Sequence, residues 1–190
     1  MEKKEICRNL PTLETNRLTL RKVSINDLED MYEYASLDET STHVTWNTHR
    51  SIKDTEQFLN MTLEQYEKNE GLFWGIVDKD SQKMIGTIYY VSWNSIHKVG
   101  ELGYVISPHY WGKGLMTEAA KEVIRFGFEE LGMVRIQARC FIQNVGSERV
   151  MQKSGMSYEG TMRKGLYGKG KHHDLKLYAI IKEDVLETDV

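Results

Sequence analysis

Residues Gly103–Thr117, Gly-Tyr-Val-Ile-Ser-Pro-His-Tyr-Trp-Gly-Lys-Gly-Leu-Met-Thr, leave this chain few folds to choose from. An apolar strand pattern ends at Ser107. Pro108 stops it, because proline has a fixed φ and no N–H to give a ladder. Gly112 and Gly114 then space a loop, and an amphipathic pattern of helical period begins at Leu115. First-turn helix amides lack intrahelical partners and the helix dipole is positive there, so the segment suits an anion such as a pyrophosphate. The two glycines place no Cβ in front of the backbone, and Lys113 adds a charge. The competing reading is a strand-to-helix turn that uses glycine for geometry alone.

Two other phosphate motifs fail at particular positions. A P-loop needs Ser or Thr after Gly-Lys and a glycine five residues before that Gly-Lys. Gly114 and Ser107 occupy those places. The dinucleotide fingerprint needs a third glycine where Thr117 stands.

The chain of 190 residues suits one domain, taken as 13–190 behind a flexible leader or an edge extension over 1–12. A formal net charge of -3 does not indicate a broad nucleic-acid-binding face. Cys7 and Cys140 are far apart and suggest no disulfide framework, so a reducing, cytoplasmic setting is expected, with Cys140 a packed core thiol. No apolar run approaches the ~20 residues of a membrane span. The charged start Met1-Glu2-Lys3-Lys4-Glu5 lacks the apolar segment of a signal peptide.

Period-two alternation predicts a first strand over Leu18–Val23. A helix follows behind Ser24 and Asn26 with Leu28, Met31, Tyr32 and Ala35 as its stripe. Residues 37–51 read as a long irregular loop carrying Trp46, which either lines a substrate pocket or packs on the core. Ser51 caps a helix running to about Asn69. Strands are predicted over Leu72–Val77, Met84–Trp93 and His97–Ser107. A helix over Leu115–Leu131 buries Met116, Ala119, Ala120, Val123, Ile124, Gly127 and Leu131. A strand over Val134–Ile142 and a short helix from Asn144 to Ser154 follow. The chain closes with a hairpin of Met156–Lys164 and Asp174–Ile181 around an overlong loop at Gly165–Lys171. No internal repeat or linker breaks the pattern.

This order resembles the GNAT superfamily of acyl-CoA N-acetyltransferases, and within it the Rim-type branch of ribosomal-protein N-terminal acetyltransferases. Four stretches carry the likeness: Glu14–Arg21, Gly100–Ile106, Tyr110–Gly114 with Thr117-Glu118-Ala119, and Asn144–Met156. The resemblance implies an α/β domain with a mixed, mostly antiparallel sheet of six to seven strands and about four helices, splayed between the fourth and fifth strands. It also implies acetyl-CoA as co-substrate and no metal; composition and spacing alone imply only an anion. His109-Tyr110-Trp111-Gly112-Lys113-Gly114 fills the family's phosphate-loop frame, with His109 where Arg or Gln is usual. Carried over by position, Trp111, Gly112, Lys113, Gly114, Leu115, Met116 and Thr117 hold the pyrophosphate. Tyr104, Val105 and Ile106 border the pantetheine arm, and Asn144 bonds it near the thioester or serves as a plain helix cap.

The reaction implied is direct attack of a neutral amine on the thioester, with an acid for the departing thiolate. Ser147 matches the thiolate-stabilising position of the Rim-type branch, or is a first-turn helix serine. Glu101 is the candidate base, or pairs with a cation structurally. A glutamate used late in some Rim-type members falls near Leu166 here. At pH 7 roughly a tenth of an α-amine is neutral, against under about a thousandth of a lysine, which favours low-pKa amines. Trp46 and Trp93 are the candidate substrate contacts. His172 and His173 point opposite ways on a strand and suit no shared metal. The acceptor is read as a protein or peptide α-amine, with a small-molecule amine or a non-catalytic acyl-CoA-binding module as alternatives. The expected protein is a monomer or homodimer without nucleic-acid or membrane partners.

Overall fold

Helix and strand starts follow local side-chain chemistry. In the computed structural model, which describes residues 3–188, the Asp27 carboxylate accepts from the Ser24 N–H at 2.7 Å, and the Asp54 carboxylate accepts from the Ser51 N–H at 2.9 Å. Each closes a capping box, which satisfies first-turn amides that would otherwise lack partners. In chain order the elements are α1 (Lys3–Arg8), β1 (Leu13–Glu14), β2 (Leu18–Arg21), α2 (Leu28–Ala35), α3 (Asp38–Ser41) and α4 (Ile52–Glu67). They continue as β3 (Phe73–Asp78), β4 (Met84–Asn94), β5 (Val99–Ile106), α5 (Leu115–Glu129), β6 (Arg135–Phe141), α6 (Val145–Lys153), β7 (Ser157–Gly168), β8 (Lys171–Ile181) and α7 (Lys182–Thr188).

Among the described residues the strands form one mixed eight-stranded sheet in the order β1-β2-β3-β4-β5-β6-β8-β7. The β5–β6 pair is parallel, whereas β1–β2, β2–β3, β3–β4, β6–β8 and β7–β8 are antiparallel. Parallel neighbours need a crossover, and α5 supplies it. The α/β class and mixed sheet agree with the sequence reading; the strand count rises to eight because Leu13–Glu14 pairs with Thr19–Leu20.

The residues of this α/β domain fall into two compact units. One takes in Met1–Thr42, Thr48–Tyr90 and Tyr104–Leu115. Its core is Leu18, Leu20, Met31, Leu59, Trp74, Ile76 and Ile88, each under 2 % exposed. Trp74 adds a hydrogen bond from its indole Nε1 to the Pro11 carbonyl at 2.9 Å. The other unit takes in His43–Asn47, Val91–Gly103 and Met116–Val190. Here α5 buries Met116, Ala119, Ala120, Val123, Ile124 and Gly127, as its apolar stripe predicts, and Phe126 and Phe128 as well; Leu131, the last residue of the predicted stripe, is buried just beyond its end.

Within the segment read as a leader over 1–12, Lys3–Arg8 form α1, and Ile6, Cys7 and Leu10 are buried; its first two residues lie outside those described, as do the last two of the span 13–190. Two local expectations are corrected. In α2 the buried tyrosine is Tyr34, while Tyr32 is half-buried. The closing hairpin has no overlong loop: β7 and β8 run to Gly168 and Lys171, leaving Lys169 and Gly170 at φ 49° and 78°. Two successive positive φ angles make the tight turn whose twist matches the strands. Gly168 lies inside the strand, paired with Lys171; a Cβ there would stand in ordinary contact, 3.4 Å from the Thr45 methyl.

Candidate active site

The loop after β5 is built as the sequence suggests. Pro108–Tyr110 make a short 3-10 turn, and Trp111, Gly112, Lys113 and Gly114 are exposed before α5 starts at the buried Leu115. Gly112 and Gly114 sit at φ 74° and 77°, a conformation side-chain-bearing residues rarely adopt. A Cβ on Gly112 would meet no protein atom within 4 Å, and one on Gly114 only the Arg17 Nη2 at 3.7 Å. The glycines therefore relieve no crowding inside the chain. They supply the backbone turn and leave the loop's peptide groups open to solvent, which fits a phosphate group.

Side chains pin this loop from several directions. The Trp111 indole donates to the Ile106 carbonyl at 3.0 Å, tying the loop to the end of β5. The Lys113 ammonium lies 4.8 Å from the Tyr110 ring centre, in cation–π range, and Tyr110 shares a 3.3 Å hydroxyl hydrogen bond with Ser81. From the far end of the sequence, Arg17 donates through Nη1 to the Lys113 carbonyl at 3.0 Å. The sequence reading passed over Arg17, since 96 residues separate the two partners. His109, where the family usually has Arg or Gln, is exposed.

The parallel β5–β6 ladder runs from Val99↔Arg135 to Leu102↔Ala138 and ends there, while β5 continues through Tyr104, Val105 and Ile106. These are the residues that the resemblance sets beside a pantetheine arm. The strands numbered fourth and fifth in the sequence reading are this pair, renumbered by the extra β1. The Ile106 carbonyl already accepts from Trp111 and has a second lone pair for a further donor.

Asn144 caps α6: its Oδ1 accepts from the Ser147 N–H at 3.0 Å. The Ser147 hydroxyl stands beside the Cys140 thiol, which is 5 % exposed. Burial, helped by the Glu148 carboxylate, pushes that thiol up to about 11, against smaller opposing effects from Lys176 and the Ser147 hydroxyl. Cys140 is therefore protonated at neutral pH and unsuited to an acyl-cysteine intermediate. Glu148 accepts from Lys176 at 2.7 and 2.8 Å and from the Tyr178 hydroxyl at 2.7 Å. Those bonds, from Lys176 first, hold its carboxyl below the ordinary range. This network fixes the first turn of α6 to β8, and no sequence spacing announces it.

Glu101 is 9 % exposed. Its Oε1 accepts from Arg139 at 2.6 Å and its Oε2 from Gln137 at 3.0 Å. The structural pairing that the sequence left open is thus present. Trp46 and Trp93 are both half-buried. His173 stacks on Phe141 with ring centres 4.3 Å apart, whereas His172 meets Tyr167 edge-on at 5.0 Å, so the two imidazoles serve separate packings.

Comparison with known proteins agrees with this layout. The acetyltransferase (GNAT) domain family matches residues 17–157. The chain is 33 % identical over 172 residues to the uncharacterized N-acetyltransferase YoaA of Bacillus subtilis, covering 90 % of this chain and 97 % of that one. It is 29 % identical over 111 residues to the spermidine N(1)-acetyltransferase of Escherichia coli, covering 58 % of this chain and 59 % of that one. Among solved structures, the RimL ribosomal L7/L12 α-N-protein acetyltransferase in complex with coenzyme A superposes with a TM-score of 0.78 at 18 % identity. That match covers 90 % of this chain and 98 % of that one. Family and full-length relative concur with the glycine loop: the chain belongs to the GNAT family and is an acetyl-CoA-dependent N-acetyltransferase.

Proposed function

We propose that the acceptor is the α-amine of a protein or peptide N-terminus. The carrying observation is the state of Glu101, the candidate-site carboxylate on β5. It is buried and paired with Arg139 at 2.6 Å. Carboxylates neutralised by arginine offer little to a polyamine, whose recognition rests on unpaired negative charge. An α-amine needs less: it titrates near ~8, so about a tenth is neutral at pH 7 and ready to attack. The fold shared with RimL, an α-N-protein acetyltransferase by name, leans the same way.

In this reading the amides of Gly112–Thr117 take the diphosphate, with Trp111 and Lys113 at its side. Tyr104, Val105 and Ile106 border the pantetheine arm, and Asn144 bonds it near the thioester. The Ser147 hydroxyl donates a hydrogen bond to the departing thiolate and so stabilises it. The ammonium formed on attack loses its proton to water, for which Glu101 is the relay. An α-amine, about a tenth of it neutral at pH 7, needs little help from a base. Trp46 and Trp93 border the acceptor.

Thiol release from acetyl-CoA, measured with free-α-amine peptides, N-blocked lysine peptides and spermidine, tests the reading. The α-amine peptides should give the highest kcat/KM. A higher value with spermidine would replace this reading with the small-amine one, for which the spermidine N(1)-acetyltransferase relative is the motive. Coenzyme binding with no acceptor-dependent release would leave only an acyl-CoA-binding module.

A further inference from the structure

We infer that Arg17 is a direct ligand of the coenzyme's diphosphate and completes the glycine loop with a charge brought from the start of β2. The inference rests on the reading of Gly112–Thr117 as the diphosphate cradle. Its Nη1 donates to the Lys113 carbonyl at 3.0 Å, and its Nη2 lies 3.7 Å from where a Cβ on Gly114 would be. The guanidinium therefore lies against the loop at its second glycine, where the backbone has turned through a positive φ.

This position is built rather than incidental. The Lys79 N–H donates to the Arg17 carbonyl at 2.9 Å. The Thr15 N–H donates to the Leu18 carbonyl at 2.9 Å, and the Leu18 N–H returns to the Thr15 hydroxyl at 3.0 Å. Arg17 thus leaves a fixed turn with its side chain exposed. The loop's own cation, Lys113, is drawn over the Tyr110 ring. A planar guanidinium carries five donors in a fork that matches phosphate oxygens, so it can hold the Lys113 carbonyl and still reach an anion on the loop. A permanent cation fixed beside exposed amides is what a doubly charged diphosphate would recruit.

Calorimetric titration with coenzyme A, dephospho-coenzyme A and pantetheine tests this without knowledge of the acceptor. The proteins are wild type, R17Q and R17K, each at low and high salt. R17Q should bind both diphosphate-bearing ligands about tenfold more weakly, which corresponds to about 1.4 kcal/mol, and should leave pantetheine unchanged. Its coenzyme affinity should also depend less on salt than that of wild type, and R17K should restore the salt dependence with part of the affinity. Unchanged apo unfolding temperatures will show that neither variant acts through folding. Weaker binding with wild-type salt dependence would make Arg17 a mere prop for the Lys113 carbonyl and overturn the assignment. Loss confined to coenzyme A, with dephospho-coenzyme A unaffected, would move the contact to the 3′-phosphate and overturn it too. A wild type that binds pantetheine as tightly as coenzyme A would refute the cradle itself, and Arg17's role with it.

Discussion

Replacing Gly86 with alanine should loosen the sheet where the coenzyme arm is read to lie. A Cβ on Gly86 would stand 2.3 Å from the Val105 carbonyl oxygen and 2.8 Å from the Ile106 Cα. Real Cβ atoms essentially never come closer than 3.0 Å to such a neighbour, so the first contact must open from 2.3 to 3.0 Å, a shift of 0.7 Å. Both partners are backbone, and no rotamer change can relieve them. The opening falls beside the 2.8 Å hydrogen bond from the Ser107 N–H to the Ile85 carbonyl, which must lengthen or bend. Overpacking of this kind costs about 1–3 kcal/mol. Removing glycine from a strand returns roughly 0.5–1 kcal/mol. The net expectation is a loss of about 1 kcal/mol, or roughly 2–4 °C in unfolding temperature for a domain of this size. Urea titration and scanning calorimetry measure the first effect; coenzyme A titration measures the second, a weaker affinity as Val105 and Ile106 shift. An unfolding temperature within about 1 °C of wild type, with unchanged coenzyme affinity, would refute the argument that this close approach is strictly required.

Two further expectations concern single side chains. Burial alone would raise the Asp27 carboxyl, but the paired hydrogen bonds from Arg21 at 2.9 and 2.7 Å and the Ser24 N–H outweigh it and hold it below the ordinary value. A carboxyl depressed by folding stabilises above its unfolded pKa, near ~3.9, and that contribution disappears as pH falls through its folded value. Acid titration of stability should therefore be shallower in Asp27→Asn, which should also be less stable than wild type at pH 7 by about 2 kcal/mol once screening at the part-exposed Arg21 is allowed for. Equal slopes in the acid range would rule the pair out as a contributor. Ser147→Ala should lower kcat roughly 10- to 100-fold, the loss of one hydrogen bond to a developing charge, with KM for acetyl-CoA little changed. An unaltered kcat would leave Ser147 as a helix residue beside Cys140 and nothing more.

Much of the fold is legible from periodicity and caps. The α5 stripe, the β5 pattern stopped by Pro108, and the Asn144 cap all depend on neighbours within a turn or a few residues, and each appears where its sequence places it. The apolar residues of α1 are too few to show a period, so this helix is not legible in the sequence. The Gly165–Lys171 stretch was misread for a different reason. Glycine marks a turn and also stands inside strands, and a sequence does not say which: Gly170 is in the turn, while Gly168 is paired with Lys171.

The sequence by itself determined the order of elements, the glycine loop at the start of α5 and the GNAT affiliation that follows from them. Those depend on short-range chemistry: proline ending a strand, glycine at a positive φ, and a polar side chain capping a helix. Only the tertiary structure decided what surrounds the loop and which carboxylates are already neutralised. Arg17 reaches Lys113 across 96 residues, Arg139 reaches Glu101 across 38, and Lys176 reaches Glu148 across 28. Pairs so far apart leave no periodic trace in the chain; sheet register sets them, and that register exists only once the core has packed.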